Sequence, residues 1–137
     1  MAKKVSPEEA LIYMMVTMSA ADRAMTDNEL RRIGGIVQRL PVFRGFDIER
    51  LVAVAEDCGE ILNDDDGLDE VLRVITQSLP ARLYDTAYAL AVDVAAADLD
   101  VGQEELRLLQ IVRDRLGLDP LVCAAIERGA RARFRTL

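Results

Sequence analysis

The chain has 137 residues, 51% apolar and 30% charged, with a formal charge of -7 and no Trp or His. This balance excludes a disordered chain and fits a single domain over residues 1–137 with a sizeable core. The negative charge and the few aromatics argue against nucleic acid or an anionic membrane surface as a partner.

Strand signals are weak throughout, and helical periodicity is strong. The first predicted helix opens at Ser6-Pro7-Glu8-Glu9, where Ser6 caps, Pro7 suits the first helical position and Glu9 completes a capping box. From Ala10 to Ala21 this helix is apolar on every side, so it belongs at the centre with other helices around it. The run is too short to cross a bilayer and carries no clear cleavage signal. Direct membrane insertion is therefore not expected, and the expected compartment is the cytoplasm.

A second helix starts at the capping box Thr26-Asp27-Asn28-Glu29, with an apolar stripe of Leu30, Ile33, Ile36 and Leu40. Inside it Gly34-Gly35 costs on the order of 1 kcal/mol per glycine relative to alanine, and close helix packing is the expected reason. Pro41 and Gly45 break the chain. A third helix is predicted from Asp47 through Leu51, Val52, Ala55 and Leu62.

The loop Asn63-Asp64-Asp65-Asp66-Gly67 hints at a calcium loop. Setting Gly67 at the loop glycine, however, puts Leu62 at the first ligand position and Arg73 at the last, so it fails as an EF-hand. Asp66 is expected to cap a fourth helix carrying Leu68, Val71, Leu72, Ile75 and Leu79, with Asp69 in its first turn. A fifth helix follows Pro80, roughly Ala81 to Ala97, again apolar nearly all round. A sixth covers about Gln103 to Leu116 and ends at Gly117. Asp119-Pro120 starts a seventh that runs toward Phe134.

The chain repeats itself 76 positions on. Ala20-Ala21-Asp22 recurs as Ala96-Ala97-Asp98, Glu29-Leu30-Arg31 as Glu105-Leu106-Arg107, and Arg39-Leu40 as Arg115-Leu116. The stripe Leu30, Ile33, Ile36, Leu40 falls on Leu106, Leu109, Val112, Leu116. The expected fold is therefore all-α, with about seven helices. Two helix–turn–helix units, about 7–40 and 83–116, pack as an orthogonal or pseudo-twofold bundle.

The repeated signature is Ala-Ala-Asp, six residues, then Glu-Leu-Arg. Asp22 and Asp98 end apolar helices, where the partial negative charge of the helix disfavours a carboxylate without a compensating cation or donor. Glu29 and Glu105 stand across short turns from them, so four carboxylates can face one region. Oxygen ligands without His suit calcium, magnesium or manganese. Asp27, Asp100 and Glu104 are further carboxylates nearby. The ordinary reading of the same residues is structural: Glu29 follows Thr26 at capping-box spacing, Glu105 follows Gly102 in the same way, and the aspartates can fix turns or pair with Arg31 and Arg107.

The stretches Ala-Ala-Asp-Arg-Ala-Met-Thr-Asp-Asn-Glu (20–29) and Ala-Ala-Asp-Leu-Asp-Val-Gly-Gln-Glu-Glu (96–105), each between an apolar and an amphipathic helix, resemble the tellurite-resistance TerB family. Where that family usually has Gly after each Asp, this chain has Arg23 and Leu99. The resemblance implies an internally duplicated helical bacterial protein of stress response, with metal proposed at Asp22, Glu29, Asp98 and Glu105. Similar domains precede the J-domain of some membrane-anchored co-chaperones, so a protein partner is the alternative expectation, and a homodimer is open as well.

No enzyme is expected, because nucleophilic catalysis would lack a base. A hydrolase using paired carboxylates would need a substrate-sized cleft beside them. Cys58 and Cys123 lie in apolar stripes and are expected as buried free thiols. Arg128, Arg131, Arg133 and Arg135 suit a helix C-terminus, with an anionic partner as the sharper alternative.

Overall fold

The computed structural model describes residues 4–20, 24–97 and 102–137. Among these are seven α-helices and no strand: α1 Pro7–Ser19, α2 Asp27–Arg39, α3 Leu51–Leu62, α4 Gly67–Ser78, α5 Tyr84–Ala97, α6 Gln103–Leu116 and α7 Pro120–Arg133. Single 3₁₀ turns at Pro41–Phe43, Ile48–Arg50 and Ala81–Leu83 join some of them.

The first helix behaves as its composition dictates. Every residue from Ala10 to Ser19 is buried, and α2, α3, α4 and α5 pack around the helix. With no solvent-facing side, α1 must find apolar partners in every direction, and burying each Leu, Ile or Met contributes about 1.5–3 kcal/mol. The buried hydroxyl of Thr17 donates to the Tyr13 carbonyl at 2.7 Å, so it enters the core without an orphaned polar group. Ser6 and Glu9 form the expected capping box, and Arg50 closes on Glu9 at 2.6 Å. The second largely apolar helix, α5, packs on α1, α6 and α7.

Three local expectations are corrected. The third helix starts at Leu51, not Asp47; the Asp47 carboxylate caps a 3₁₀ turn instead, accepting from Glu49 N–H at 3.0 Å. Asp66 occupies the cap position of α4 without capping it, because its backbone is left-handed (φ 57°) and its side chain makes no cap hydrogen bond. The tight α3–α4 turn imposes this conformation. A Cβ on Gly67 would stand 2.4 Å from the Ile61 carbonyl oxygen and 2.6 Å from that of Leu62, so two backbones meet where only glycine fits. Asp69, in the first turn of α4, reaches out to Arg73 and across to Arg115 of α6, and this holds its carboxyl below the usual range.

The third correction concerns the repeat. Helices α2 and α6 start 76 positions apart, as the sequence motif does, but they bury different registers. In α2 the buried residues are Ile33 and Val37; in α6 they are Leu108, Val112 and Leu116. Leu106, the counterpart of Leu30, is 55% exposed, and Leu40 also faces solvent. The face of α6 is thus turned by about one residue, or 100°, relative to its counterpart. The identities at 29–31 and 105–107 mark the start of each helix rather than its packed side.

Two glycines give opposite expectations. Gly67→Ala must push apart two backbone carbonyls and should lower stability by roughly 1–3 kcal/mol. Gly35 lies within α2 with nothing within 4 Å of an added Cβ, so Gly35→Ala should raise stability by up to about 1 kcal/mol. Thermal melts of the two variants beside the wild type check both signs; equal effects would contradict the packing described. The close packing expected at Gly34-Gly35 is absent at Gly35 and at Gly34 amounts to ordinary contact, an added Cβ standing 3.4 Å from a Leu51 methyl.

The cysteines are free and buried. Burial pushes the Cys58 thiol up from 9.0 to about 12, against a lowering contact from Thr17, and burial likewise raises Tyr13 from 10.0 to about 12. Tyr88 is raised further, first by burial and then by its hydrogen bond to Glu127. These groups stay protonated in the fold when the unfolded chain has already ionised, so the folded state binds more protons. Stability is then full below about pH 8.5 and falls as the pH rises from there toward 12. Denaturant melts across that range should follow this slope, and native Cys58 should react with a thiol reagent only as fast as the protein opens. Rapid labelling at pH 8 would contradict the burial.

Candidate acidic turns and an adjoining groove

The four carboxylates singled out in the sequence divide into two pairs. Asp22 and Asp98 lie outside the described residues. Glu29 and Glu105 are both half-buried, each in the first turn of its helix. Glu29 accepts from the Thr26 N–H at 2.8 Å, while Thr26 Oγ1 accepts from the Glu29 N–H at 3.2 Å. Glu105 accepts from the Gly102 N–H at 2.7 Å; Gly102 has no side chain to return the bond, so this box is half complete.

Sequence dictates both arrangements. A Glu at the third helical position reaches back to the cap residue's N–H, one of the donors that a helix start leaves unmatched. The structure thus bears out the cap role of Glu29 and Glu105. Among the described residues no three His, Cys, Asp or Glu side chains are grouped so as to hold a metal ion. Arg31 bonds to Asn28 at 3.4 Å. Nor is Arg107 in any ion pair among the described residues; it stands at a groove that composition and spacing did not reveal.

That groove has a volume of about 620 Å³. Val16 and Thr17 of α1 with Ala20 just beyond its end form one wall and Ala55, Gly59 and Leu62 of α3 another. Leu68 of α4 adds to the lining, and Leu108 and Ile111 of α6 complete it. Met25, Asn63, Glu104 and Arg107 bring polar and adaptable groups to its edge. The space exists because Ala20, Ala55 and Gly59 are small where their neighbours are Leu, Ile and Val. That small-residue set was the available sequence signal, but it points to no cavity until the facing helices are known.

The chemistry available here is that of binding. The Thr17 hydroxyl is committed to a backbone carbonyl, and Cys58 behind it is held as a thiol. The groove offers apolar surface with one cation and one carboxylate at the edge, close to the typical volume of small-ligand sites. No helix among the described residues is long and apolar enough to cross a membrane.

The chain matches no curated protein and no solved structure. A family model does match: that of tellurite resistance protein TerB, over residues 8–128. The matched span reaches from the first turn of α1 into α7, far beyond the two short motifs at 20–29 and 96–105, and on it the chain belongs to the TerB tellurite-resistance family.

Proposed function

We propose that this TerB-family domain is a non-catalytic binding protein for a divalent cation (calcium, magnesium or manganese), with Asp22, Glu29, Asp98 and Glu105 as its ligands. Its setting in this reading is the cytoplasm of a bacterium, in a tellurite- or stress-response system. The observation that supports the reading is the shared construction of the two turns. In both, a glutamate at the third helical position folds its carboxylate back onto the N–H of the cap residue, which follows the repeated aspartate by four positions in the sequence. Capping and ligation are compatible, because an ionised carboxylate offers about four lone-pair sites and a cap uses one. Hard oxygen ligands of this kind suit calcium, magnesium or manganese.

One observation favours a second reading, an interaction module in which these carboxylates only cap helices. The apolar groove between α1, α3, α4 and α6 adjoins the same turns, with Glu104 and Arg107 at its edge, and a partner's apolar side chain would fit it. The two readings separate cleanly by substitution. Gln retains the carbonyl oxygen that a cap requires but removes the charge that a cation requires. If Glu29 and Glu105 are ligands, Glu29→Gln and Glu105→Gln should leave metal-free stability within about 0.5 kcal/mol of the wild type. Calcium or manganese at about a hundred times the dissociation constant should stabilise the wild type by roughly 2.7 kcal/mol, and the Gln variants should lose most of that gain. Asp22→Ala and Asp98→Ala should lose it too, with unchanged or higher metal-free stability, because each removes a carboxylate from an acidic cluster. The measurement is a set of melting curves at fixed ionic strength, with and without metal. A wild type indifferent to every cation, together with aspartate variants weakened by about 1 kcal/mol, would leave the interaction module as the function.

A further inference from the structure

Two helices present outward faces that complement each other. On α3 the exposed residues are Val52, Ala53, Glu56, Asp57 and Glu60, opposite the buried Leu51, Val54, Ala55 and Cys58. The face is apolar at its start, where Val52 is 52% exposed, and acidic toward its end. On α7 the exposed stripe is Leu121, Ala124, Ala125, Arg128 and Arg131, opposite the buried Cys123 and Ala130. This face is also apolar at its start, where Leu121 is 78% exposed, and basic toward its end. Along the axis, Val52 to Glu60 spans about 12 Å, and Leu121 to Arg128 about 10.5 Å. Laid side by side and parallel, the two faces match apolar to apolar and carboxylate to guanidinium.

Among the described residues, neither face meets its counter-charges within one molecule. From Leu51 to Leu72 the chain carries no Lys or Arg, while Glu56, Asp57, Glu60 and the run Asp64-Asp65-Asp66 supply six carboxylates before α4 begins. Asp57 and Glu60 stand in the C-terminal half of α3, whose last turn has no basic residue to offset the negative helix end. From residue 120 onward, four arginines face the single carboxylate of Glu127, although the whole chain stands at -7. Arg133 is taken by Asp93, and Glu127 by Arg113 and Tyr88. Glu56, Asp57, Glu60, Arg128 and Arg131 are in no ion pair among the described residues.

We propose that the outer face of α3 docks on the outer face of α7 of a second copy of this chain. The main packing runs α3 on α1, α1 on α5 and α5 on α7, so the two faces stand at opposite ends of that series. The contact is therefore heterologous: each molecule offers α3 to one neighbour and α7 to another, and association runs head to tail rather than closing as an isologous dimer. A patch one helix wide belongs to the weak, transient class of interfaces. Its charges make it sensitive to salt, since the screening length shrinks from about 10 Å at 0.1 M to about 3 Å at 1 M.

Sedimentation equilibrium over rising protein concentration tests this with two charge-reversed proteins, one carrying Arg128→Glu and Arg131→Glu and the other Glu56→Arg and Glu60→Arg. The wild type should self-associate, about tenfold more weakly at high salt. Each reversed protein alone should stay monomeric, because its two faces then carry the same sign. An equimolar mixture of the two should recover association, because each now presents the complement of the other. Circular dichroism confirms that both are folded, and the α3 variant guards against a weakened α7, since added arginines favour the end of α3. A wild type that stays monomeric throughout, or one whose association survives either reversal, overturns the proposal. So does a monomer that instead binds phosphatidylserine vesicles through Arg128 and Arg131.

Discussion

A helix without a polar side is a demand on everything around it. α1 is buried from Ala10 to Ser19, so no arrangement that leaves one of its flanks open is stable. The remaining helices are where they are because α1 has to be enclosed. Helices α3 and α4 come straight after one another and pack on it as a hairpin, whose turn is so tight that Gly67 lies against the carbonyls of Ile61 and Leu62. Helix α5, apolar for the same reason, covers another side and in turn has to be covered by α6 and α7. The 76-residue repeat therefore expresses one rule applied twice, an apolar helix followed by an amphipathic one that helps to close over it.

Enclosure moves the polar problem to the helix ends. Each helix start leaves backbone N–H groups unmatched, and here the chain solves it locally, with Ser6 and Glu9, Thr26 and Glu29, Gly102 and Glu105, and Asp119. In the two repeated units the residue that solves it is a glutamate, seven positions after the repeated aspartate in the sequence. A carboxylate held by a backbone N–H has a fixed direction, which is what a cation ligand needs. The structural role and the proposed one thus share a cause, and substitution to Gln separates them where substitution to Ala would remove both.

Much of the fold was legible because its signals are local. Helix starts at Pro7, Asp27, Gln103 and Pro120 follow from the cap residue and the residue three beyond it or from a proline, and the end of α6 follows from Gly117, which is left-handed at φ 63°. What failed was tertiary. Asp66 looked like a cap by residue type, but the α3–α4 turn holds it left-handed, and its carboxylate makes no cap bond. Leu106 looked like core by its alignment with Leu30, but α6 meets α4 and α5 through a register turned by about one residue, and Leu108 takes the core place instead. The groove was illegible for the same reason: Ala20 at the end of α1 and Ala55 and Gly59 on α3 leave space only because two elements distant in sequence bring them to one place. Of the candidate ligands, Glu29 and Glu105 have the capping geometry that their spacing from Thr26 and Gly102 encodes.

Charge follows a different logic from packing. Inside, ion pairs tie neighbouring elements together: Arg50 to Glu9, Arg115 to Asp69, and Arg133 to Asp93. All are at least partly exposed, so solvent screens them and each contributes little to stability; their effect is to fix which side of a helix turns outward. Arg133 on Asp93 and Arg113 on Glu127 hold α7 against α5 and α6. That leaves Arg128 and Arg131 on the outer face with no carboxylate of their own among the described residues. An acidic chain that gathers arginines on one exposed helix face and carboxylates on another has separated charge that a random surface would mix. Separation of this kind does nothing for the isolated fold, since like charges along one face repel, whereas it gives two copies a direction in which to meet.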